Sequence, residues 1–139
     1  MVSLIRWMTP QDEVWVRGLH RRCHPDAPPR PDHFYQCHPT LVIPLAPSVI
    51  GFTCFTLSPT TKGYVAYGVD VCVDAEHRGK GYGRALHAER SRIAKSLGAI
   101  DFVGLTTPDN EPMARIFAAC GIELRERLPD GQAVYIGSL

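Results

Sequence analysis

The chain has 139 residues, 45% of them apolar, and a formal net charge of +1. That supports one well-filled core and leaves little for a second, so a single domain over 1–139 is expected. A near-neutral chain argues against a nucleic-acid partner, the lack of an apolar run of roughly 18 residues argues against a membrane span, and the early Arg6 and Trp7 argue against a secretory leader. Five cysteines is an odd count, and Cys54, Cys72 and Cys120 sit in apolar patterns. They read as buried free thiols of a reducing, cytoplasmic compartment.

In chain order, Ser3–Met8 is a short strand, and Thr9-Pro10-Gln11-Asp12 punctuates it with Thr9 or Asp12 as a helix cap. Glu13 to Cys23 reads helical, with Trp15, Leu19 and Cys23 on one face, and His24-Pro25 ends it. The segment from His24 to Pro39 holds five of the twelve prolines and three of the six histidines. It cannot form a long helix and reads as a loop with a short helical turn around His33 to Gln36. Thr40–Leu45 and Val49–Leu57 form a hairpin, and Ser58 to Gly63 turns into a strand from Tyr64 to Val73. That strand alternates: Val65, Tyr67, Val69, Val71 and Val73 share one face, while Ala66, Gly68, Asp70 and Cys72 share the other.

A helix follows to about Leu97, with Tyr82, Leu86, Ile93 and Leu97 on an apolar side and His87, Glu89, Arg90, Arg92 and Lys95 on a polar side. Gly98 stops it. Ile100–Leu105 is a strand, and a turn from Thr106 to Asn110 contains Pro108. Pro112 opens a short helix whose apolar face is Met113, Ile116, Phe117 and Cys120. Ile122–Leu128 and Ala133–Ile136 close the chain around the Pro129-Asp130-Gly131 turn.

Between the alternating strand and its helix lies Arg78-Gly79-Lys80-Gly81-Tyr82-Gly83-Arg84. A strand, a Gly-rich basic turn and a helix start make an anion site: glycines let backbone approach a ligand, and the first helical amides lack partners. A dinucleotide fingerprint needs glycine where Arg84 stands, and a Walker A loop needs Gly-Lys-Ser/Thr. The run instead resembles the acyl-CoA pyrophosphate loop of the GNAT superfamily of N-acetyltransferases, and the order of elements along the chain agrees with that family. The resemblance implies a mixed, mostly antiparallel α/β (α+β) fold of about six to seven strands and three to four helices.

The resemblance also implies site residues. Acetyl-CoA, as co-substrate, is expected on Arg78, Gly79, Lys80, Gly81, Tyr82, Gly83 and Arg84. Its pantetheine arm is expected along the backbone of Val71, Cys72 and Val73, with the Cys72 backbone at the thioester carbonyl. Asn110 matches the family's cofactor-binding Asn, although an Asn there also simply caps a helix. Phe117 falls in the cofactor region where the family often holds a thiolate-protonating Tyr. Phenylalanine has no proton to give, so either water or another group protonates the thiolate, with Cys120, Tyr135 and Tyr67 as candidate substitutes, or thiolate release needs little help. Asp70 is the candidate general base, or else an Asp paired with a neighbouring basic residue. His33 and Tyr35 are expected to line the acceptor site, or to belong to a loop packed on its own prolines. The paired Cys23-His24 and Cys37-His38 fit zinc geometry poorly, so no metal is expected.

The implied activity is acetyl transfer from acetyl-CoA to a primary amine, of a small molecule or a protein, by direct attack in a ternary complex. Two alternatives stand beside it: a non-catalytic acyl-CoA-binding module and a transferase for longer acyl chains. A homodimer is compatible with the resemblance.

Overall fold

Strands and helices joined largely by glycine and proline turns build the chain. The computed structural model describes residues 4–107 and 109–139; Ser3 of the first expected strand and Pro108 of the expected turn lie outside them. The strands are β1 (Arg6–Trp7), β2 (Thr40–Leu45), β3 (Ser48–Thr60), β4 (Gly63–Val73), β5 (Ala99–Thr106), β6 (Glu123–Arg127) and β7 (Ala133–Ser138). The helices are α1 (Glu13–Cys23), α2 (Phe34–Cys37), α3 (Tyr82–Ser96) and α4 (Glu111–Ala119). The strands hydrogen-bond in the order β1-β2-β3-β4-β5-β7-β6. This is the expected mixed, mostly antiparallel sheet with four helices. Among the described residues no helix is long and apolar enough to cross a membrane.

By backbone proximity the chain divides into two compact units. One comprises residues up to Phe55 with Asp70–Arg90, the other Thr56–Val69 with Ser91–Leu139.

In the first unit, β1 pairs antiparallel with β2 and β2 with β3. Ile43, Ile50 and Leu86 form a buried cluster against which Ile5, Val71, Val73 and Tyr82 pack. Val71 and Val73 of β4 therefore meet the first half of α3. Asp12 stands at the N-cap position of α1, but its carboxylate is engaged by Arg6 at 2.7 Å and by the Thr9 amide at 2.8 Å. The buried stripe of α1 is Val16, Leu19 and His20. Trp15, expected on it, is exposed, because positions 16, 19 and 20 already complete the i, i+3, i+4 face.

The segment between α1 and β2 is ordered by one side chain. Arg17 donates to the carbonyls of Arg30, Pro31 and Asp32 at 2.9, 3.0 and 3.1 Å, and to Glu13 at 2.8 Å. Prolines restrict the backbone and remove amide donors, and a guanidinium fork supplies several at once; the Pro31 carbonyl also accepts from the Phe34 amide at 3.0 Å. The turn of helix expected there is α2.

In the second unit, β4 and β5 pair in parallel from Tyr64↔Ala99 to Gly68↔Gly104, and β5 and β6 both pair antiparallel with β7. Met113 and Phe117 bury the inner face of α4. Cys120, expected to be buried, is exposed at the helix end, one position before Gly121 leaves the helix at φ 74°. Leu97 is likewise exposed at the end of α3. The turn expected over Ser58 to Gly63 is shorter, because β3 continues to Thr60.

Candidate active site

The two-residue period of β4 puts Ala66, Asp70 and Cys72 on one face. Ala66 and Cys72 are buried, and the Asp70 side chain is 7% exposed. Burial pushes the Asp70 carboxyl above its ordinary range, against the pull of Arg30 beside it. Arg30 Nη2 donates to Asp70 Oδ2 at 2.8 Å, and Arg30 Nε donates to His20 Nε2 at 3.2 Å. The guanidinium lies over the Phe34 ring, 4.4 Å from its centroid. The pairing drawn as one alternative for Asp70 is therefore present, with Arg30 as the partner, and its proton affinity is raised.

His20 accepts from Arg30 and so carries its own proton on Nδ1. Burial first, then the Arg30 charge, pull it down to about 4, which keeps it neutral. His24 is different. Its side chain is 45% exposed, with Nε2 3.9 Å from Asp70 Oδ1 and 3.7 Å from Cys72 Sγ. His20, His24 and Asp70 bring three donor atoms within 4.8 Å of one another. The Arg30 guanidinium, bonded to two of the three, supplies the positive charge that such a cluster needs.

Behind Asp70 stands a group that periodicity misassigned. His87 and Arg90, expected on the solvated face of α3, are 0% and 2% exposed. Arg90 Nη1 donates to Thr53 Oγ1 at 2.9 Å, to the Asp70 carbonyl at 3.1 Å and to the Cys54 carbonyl at 3.2 Å. Arg90 Nε donates to His87 Nδ1 at 3.1 Å, and the Thr53 hydroxyl also donates to the Asp70 carbonyl. The backbone that presents Asp70 is thus gripped from behind. The signal was available: Leu86, Arg90 and Ala94 recur every four residues, so the face that buries Leu86 carries Arg90 with it.

After β4 the chain makes a single 3-10 turn at Ala75–His77 and passes through Arg78 into α3. Gly79 and Gly81 have φ of 78° and 86°, a region that side chains disfavour. A Cβ built at either would meet nothing within 4 Å, so the loop's surface is open. Left-handed glycines beside the first amides of a fifteen-residue helix make a concavity for anionic oxygens. Lys80 and Arg84 are exposed. Arg78 is held by its own surroundings: Nε donates to the Val73 carbonyl at 2.9 Å, and Nη2 lies 3.7 Å from Cys23 Sγ. These residues fit a pyrophosphate.

Asn110 and Phe117 belong to the second unit. Asn110 Oδ1 accepts from the Met113 amide at 3.2 Å, so the capping role is present. Phe117 is buried, with ring centroids 6.1 Å from Phe102 and 4.9 Å from Tyr135. Gly104 lies beneath it: a Cβ there would fall inside van der Waals contact with the Phe117 ring. Of the acceptor-side residues, His33 is exposed at the start of α2, and Tyr35 is 4% exposed. The Tyr35 hydroxyl has no hydrogen-bond partner among the described residues, and burial raises its proton affinity. Its ring sits under Arg17 and edge-on to Phe52, so it is the inner wall of the α2 segment.

The family model for the GNAT acetyltransferases matches residues 3–122. The chain belongs to the GNAT acetyltransferase family. No curated protein matches this GNAT chain in sequence. Solved structures do match its fold. The Arabidopsis thaliana Naa50 complex with the bisubstrate analogue CoA-Ac-MVNAL is similar at a TM-score of 0.83 and 15% identity, over 97% of each chain. A GNAT phosphinothricin acetyltransferase from Sinorhizobium meliloti, in complex with acetyl-CoA, gives 0.82 and 18%, over 97% of this chain and 87% of its own. Salmonella typhimurium yncA with its cofactor acetyl-CoA gives 0.77 and 19%, over 97% and 92%. Within this GNAT domain the open glycine loop, Arg78 and the Arg30–Asp70 pair share the first unit, with the cap Asn110 in the second.

Proposed function

We propose that the whole chain, 1–139, is one acetyltransferase domain that moves the acetyl group of acetyl-CoA to a primary amine. The observation that carries this reading is the open loop at Gly79 and Gly81, whose two left-handed glycines lead into the first turn of α3. Two of the structural neighbours were solved with acetyl-CoA, and a third with a CoA–acetyl–peptide analogue. When bound, acetyl-CoA supplies an acetyl group already activated as a thioester.

The chain's own residues then have distinct tasks. Loop amides from Gly79 to Gly83 meet the pyrophosphate, with Lys80, Arg84 and Arg78 adding charge. The backbone of Val71, Cys72 and Val73 offers strand-like hydrogen bonds to the pantetheine amides, and the Cys72 amide is the donor to the thioester carbonyl. The Asn110 side chain has an amide left for the cofactor once its oxygen has capped α4. Phe117 contributes apolar wall only.

Asp70 takes the proton that the acceptor ammonium must lose before it attacks. Since its carboxylate is almost fully buried, His24, exposed with Nε2 3.9 Å from it, carries the proton between Asp70 and the acceptor through one bridging water. His33 and Tyr35 belong to the α2 wall on the acceptor side. A neighbour solved with a peptide-bearing bisubstrate analogue and a neighbour described as a phosphinothricin acetyltransferase support both peptide and small-molecule amines as acceptor classes. Five free cysteines suit a cytoplasmic setting.

One observation favours a second reading. With Phe117 buried against aromatic rings, no group at that position can protonate a leaving thiolate, which suits a non-catalytic acyl-CoA-binding module. Thiol release from acetyl-CoA, followed across a panel of amino acids, polyamines and peptide N-termini, decides between them. Release with at least one amine supports the transferase. Binding without release across the panel supports the module, and release only with longer acyl-CoAs assigns a different acyl donor.

A further inference from the structure

Arg30 uses one edge of its guanidinium within the protein and leaves the other open. Nε donates to His20 Nε2 at 3.2 Å, and Nη2 donates to Asp70 Oδ2 at 2.8 Å. Nη1 donates to none of the described residues, and the side chain is 25% exposed. Both Nη1 hydrogens are therefore available to a ligand. In Arg17, which also faces this segment, all three nitrogens already donate.

The open edge is held in place. The guanidinium lies over the Phe34 ring, 4.4 Å from its centroid, and His38 stacks on the same ring at 4.0 Å. A plane fixed by two hydrogen bonds and a ring loses little freedom when a ligand arrives. Across the Asp70 carboxylate stands His24, whose Nε2 is 3.9 Å from Asp70 Oδ1 and whose side chain is 45% exposed. One buried carboxylate thus has the proton carrier at one oxygen and a half-open guanidinium at the other.

We propose that the acceptor is a free α-amino acid, whose carboxylate accepts from Arg30 Nη1 while its amine lies toward His24. This names the acceptor of acetyl transfer and so rests on that reading. In an α-amino acid the amine and the carboxylate share one carbon, which suits two groups that flank a single carboxylate. The acceptor's carboxylate meets paired N–H donors on a fixed plane, the geometry in which a guanidinium recognises carboxylates specifically. A polyamine brings a second positive charge to Arg30 instead, and like charges repel. A peptide N-terminus carries an uncharged amide where the amino acid carries its carboxylate.

The test is thiol release from acetyl-CoA by the full chain with the common α-amino acids, each compared with its own α-carboxamide. The carboxamide removes the charge and keeps the amine and the side chain. For the preferred side chain, kcat/KM is expected to be at least about tenfold higher for the acid than for its amide. In Arg30→Gln that ratio should fall to about one. The ratio isolates the contact, because any effect of Arg30 on Asp70 acts on both substrates alike. Calorimetry with CoA in place of acetyl-CoA, where no transfer occurs, should rank binding the same way. If Arg30→Gln does not fold by circular dichroism, Arg30→Lys carries the test. Its ammonium keeps a charge for Asp70 but has no second edge, so the preference for the acid should drop several-fold.

Carboxamides that match the acids in the wild type, or a preference for the acid undiminished in the Arg30 variant, overturn the proposal and leave the acetyltransferase standing. Turnover confined to polyamines or peptide N-termini does the same. No thiol release with any amine overturns both.

Discussion

Arg30 Nη2 donates to Asp70 Oδ2 at 2.8 Å across forty positions of sequence, tying a proline-rich segment to the buried face of β4. The pair sets the charge state of the candidate proton acceptor. Burial favours the neutral acid and Arg30 favours the carboxylate, and burial is the larger influence.

Asp70→Asn keeps the shape and an acceptor oxygen for Arg30 but removes the base. Acetyl transfer at neutral pH is expected to fall by roughly a hundredfold, with unchanged circular dichroism. Turnover at the wild-type level would take Asp70 out of the proton route. Arg30→Gln removes the influence that lowers the Asp70 proton affinity. The acid limb of the kcat/KM profile should therefore move to higher pH, since the base must be deprotonated to act.

Arg90→Met tests the buried grip on β4. It leaves Thr53 Oγ1 and the Asp70 and Cys54 carbonyls short of a donor each. A loss of roughly 3 kcal/mol of stability is expected, measured by urea unfolding. A change below about 0.5 kcal/mol would show that solvent replaces those bonds freely.

Arg90 also marks where reading residue types stops. The strand alternation around Asp70, the boundaries of α1 and β2, and the glycine loop were all legible, because they follow from backbone periods and turn chemistry. The burial of Arg90 was legible only as its spacing from Leu86 and Ala94, and that of His87 not at all, because a helix face is chosen by its partner. Here the partner includes Thr53 and carbonyls of β3 and β4, whose positions require the tertiary fold. The Arg30–Asp70 pair was legible only as a neighbour of unknown identity, because the loop that delivers Arg30 has no period. Trp15 and Cys120 erred the other way: an apolar residue at a helical interval was taken for core, and the face was already complete without it.

Stability should fall as the solution is acidified from neutrality. His20 and His87 are pulled down to about 4 and about 3, chiefly by burial. Their unfolded values are near 6.5, so between these limits the unfolded chain binds more protons, and the stabilisation present above about 6.5 is lost as pH falls. Around pH 5 the two together predict a slope of up to roughly 2.5 kcal/mol per pH unit. The raised Asp70 carboxyl opposes this, because the folded state there takes up a proton before the unfolded one does. Below about pH 4, Asp12, pulled down to about 2 by its bond from Arg6, adds a further loss. Urea midpoints at pH 7, 6 and 5 check the sign: a flat or rising series would contradict neutral, buried histidines.

Gly79→Ala and Gly81→Ala test the loop. Each forces a left-handed conformation on a side chain at a cost of about 1 kcal/mol, with no clash within 4 Å to add to it. Acetyl-CoA affinity should drop several-fold while the melting temperature moves by only a few degrees. Gly104→Ala is the contrast: its Cβ runs into the buried Phe117 ring, so it should lower the melting temperature well beyond either loop variant.

The most direct measurement is a calorimetric titration of the wild-type chain with acetyl-CoA. A single saturable site per chain is expected, weakened in Gly81→Ala. No heat and no thermal shift with acetyl-CoA, CoA or longer acyl-CoAs would contradict the assignment of Arg78 to Arg84 as the cofactor's pyrophosphate loop.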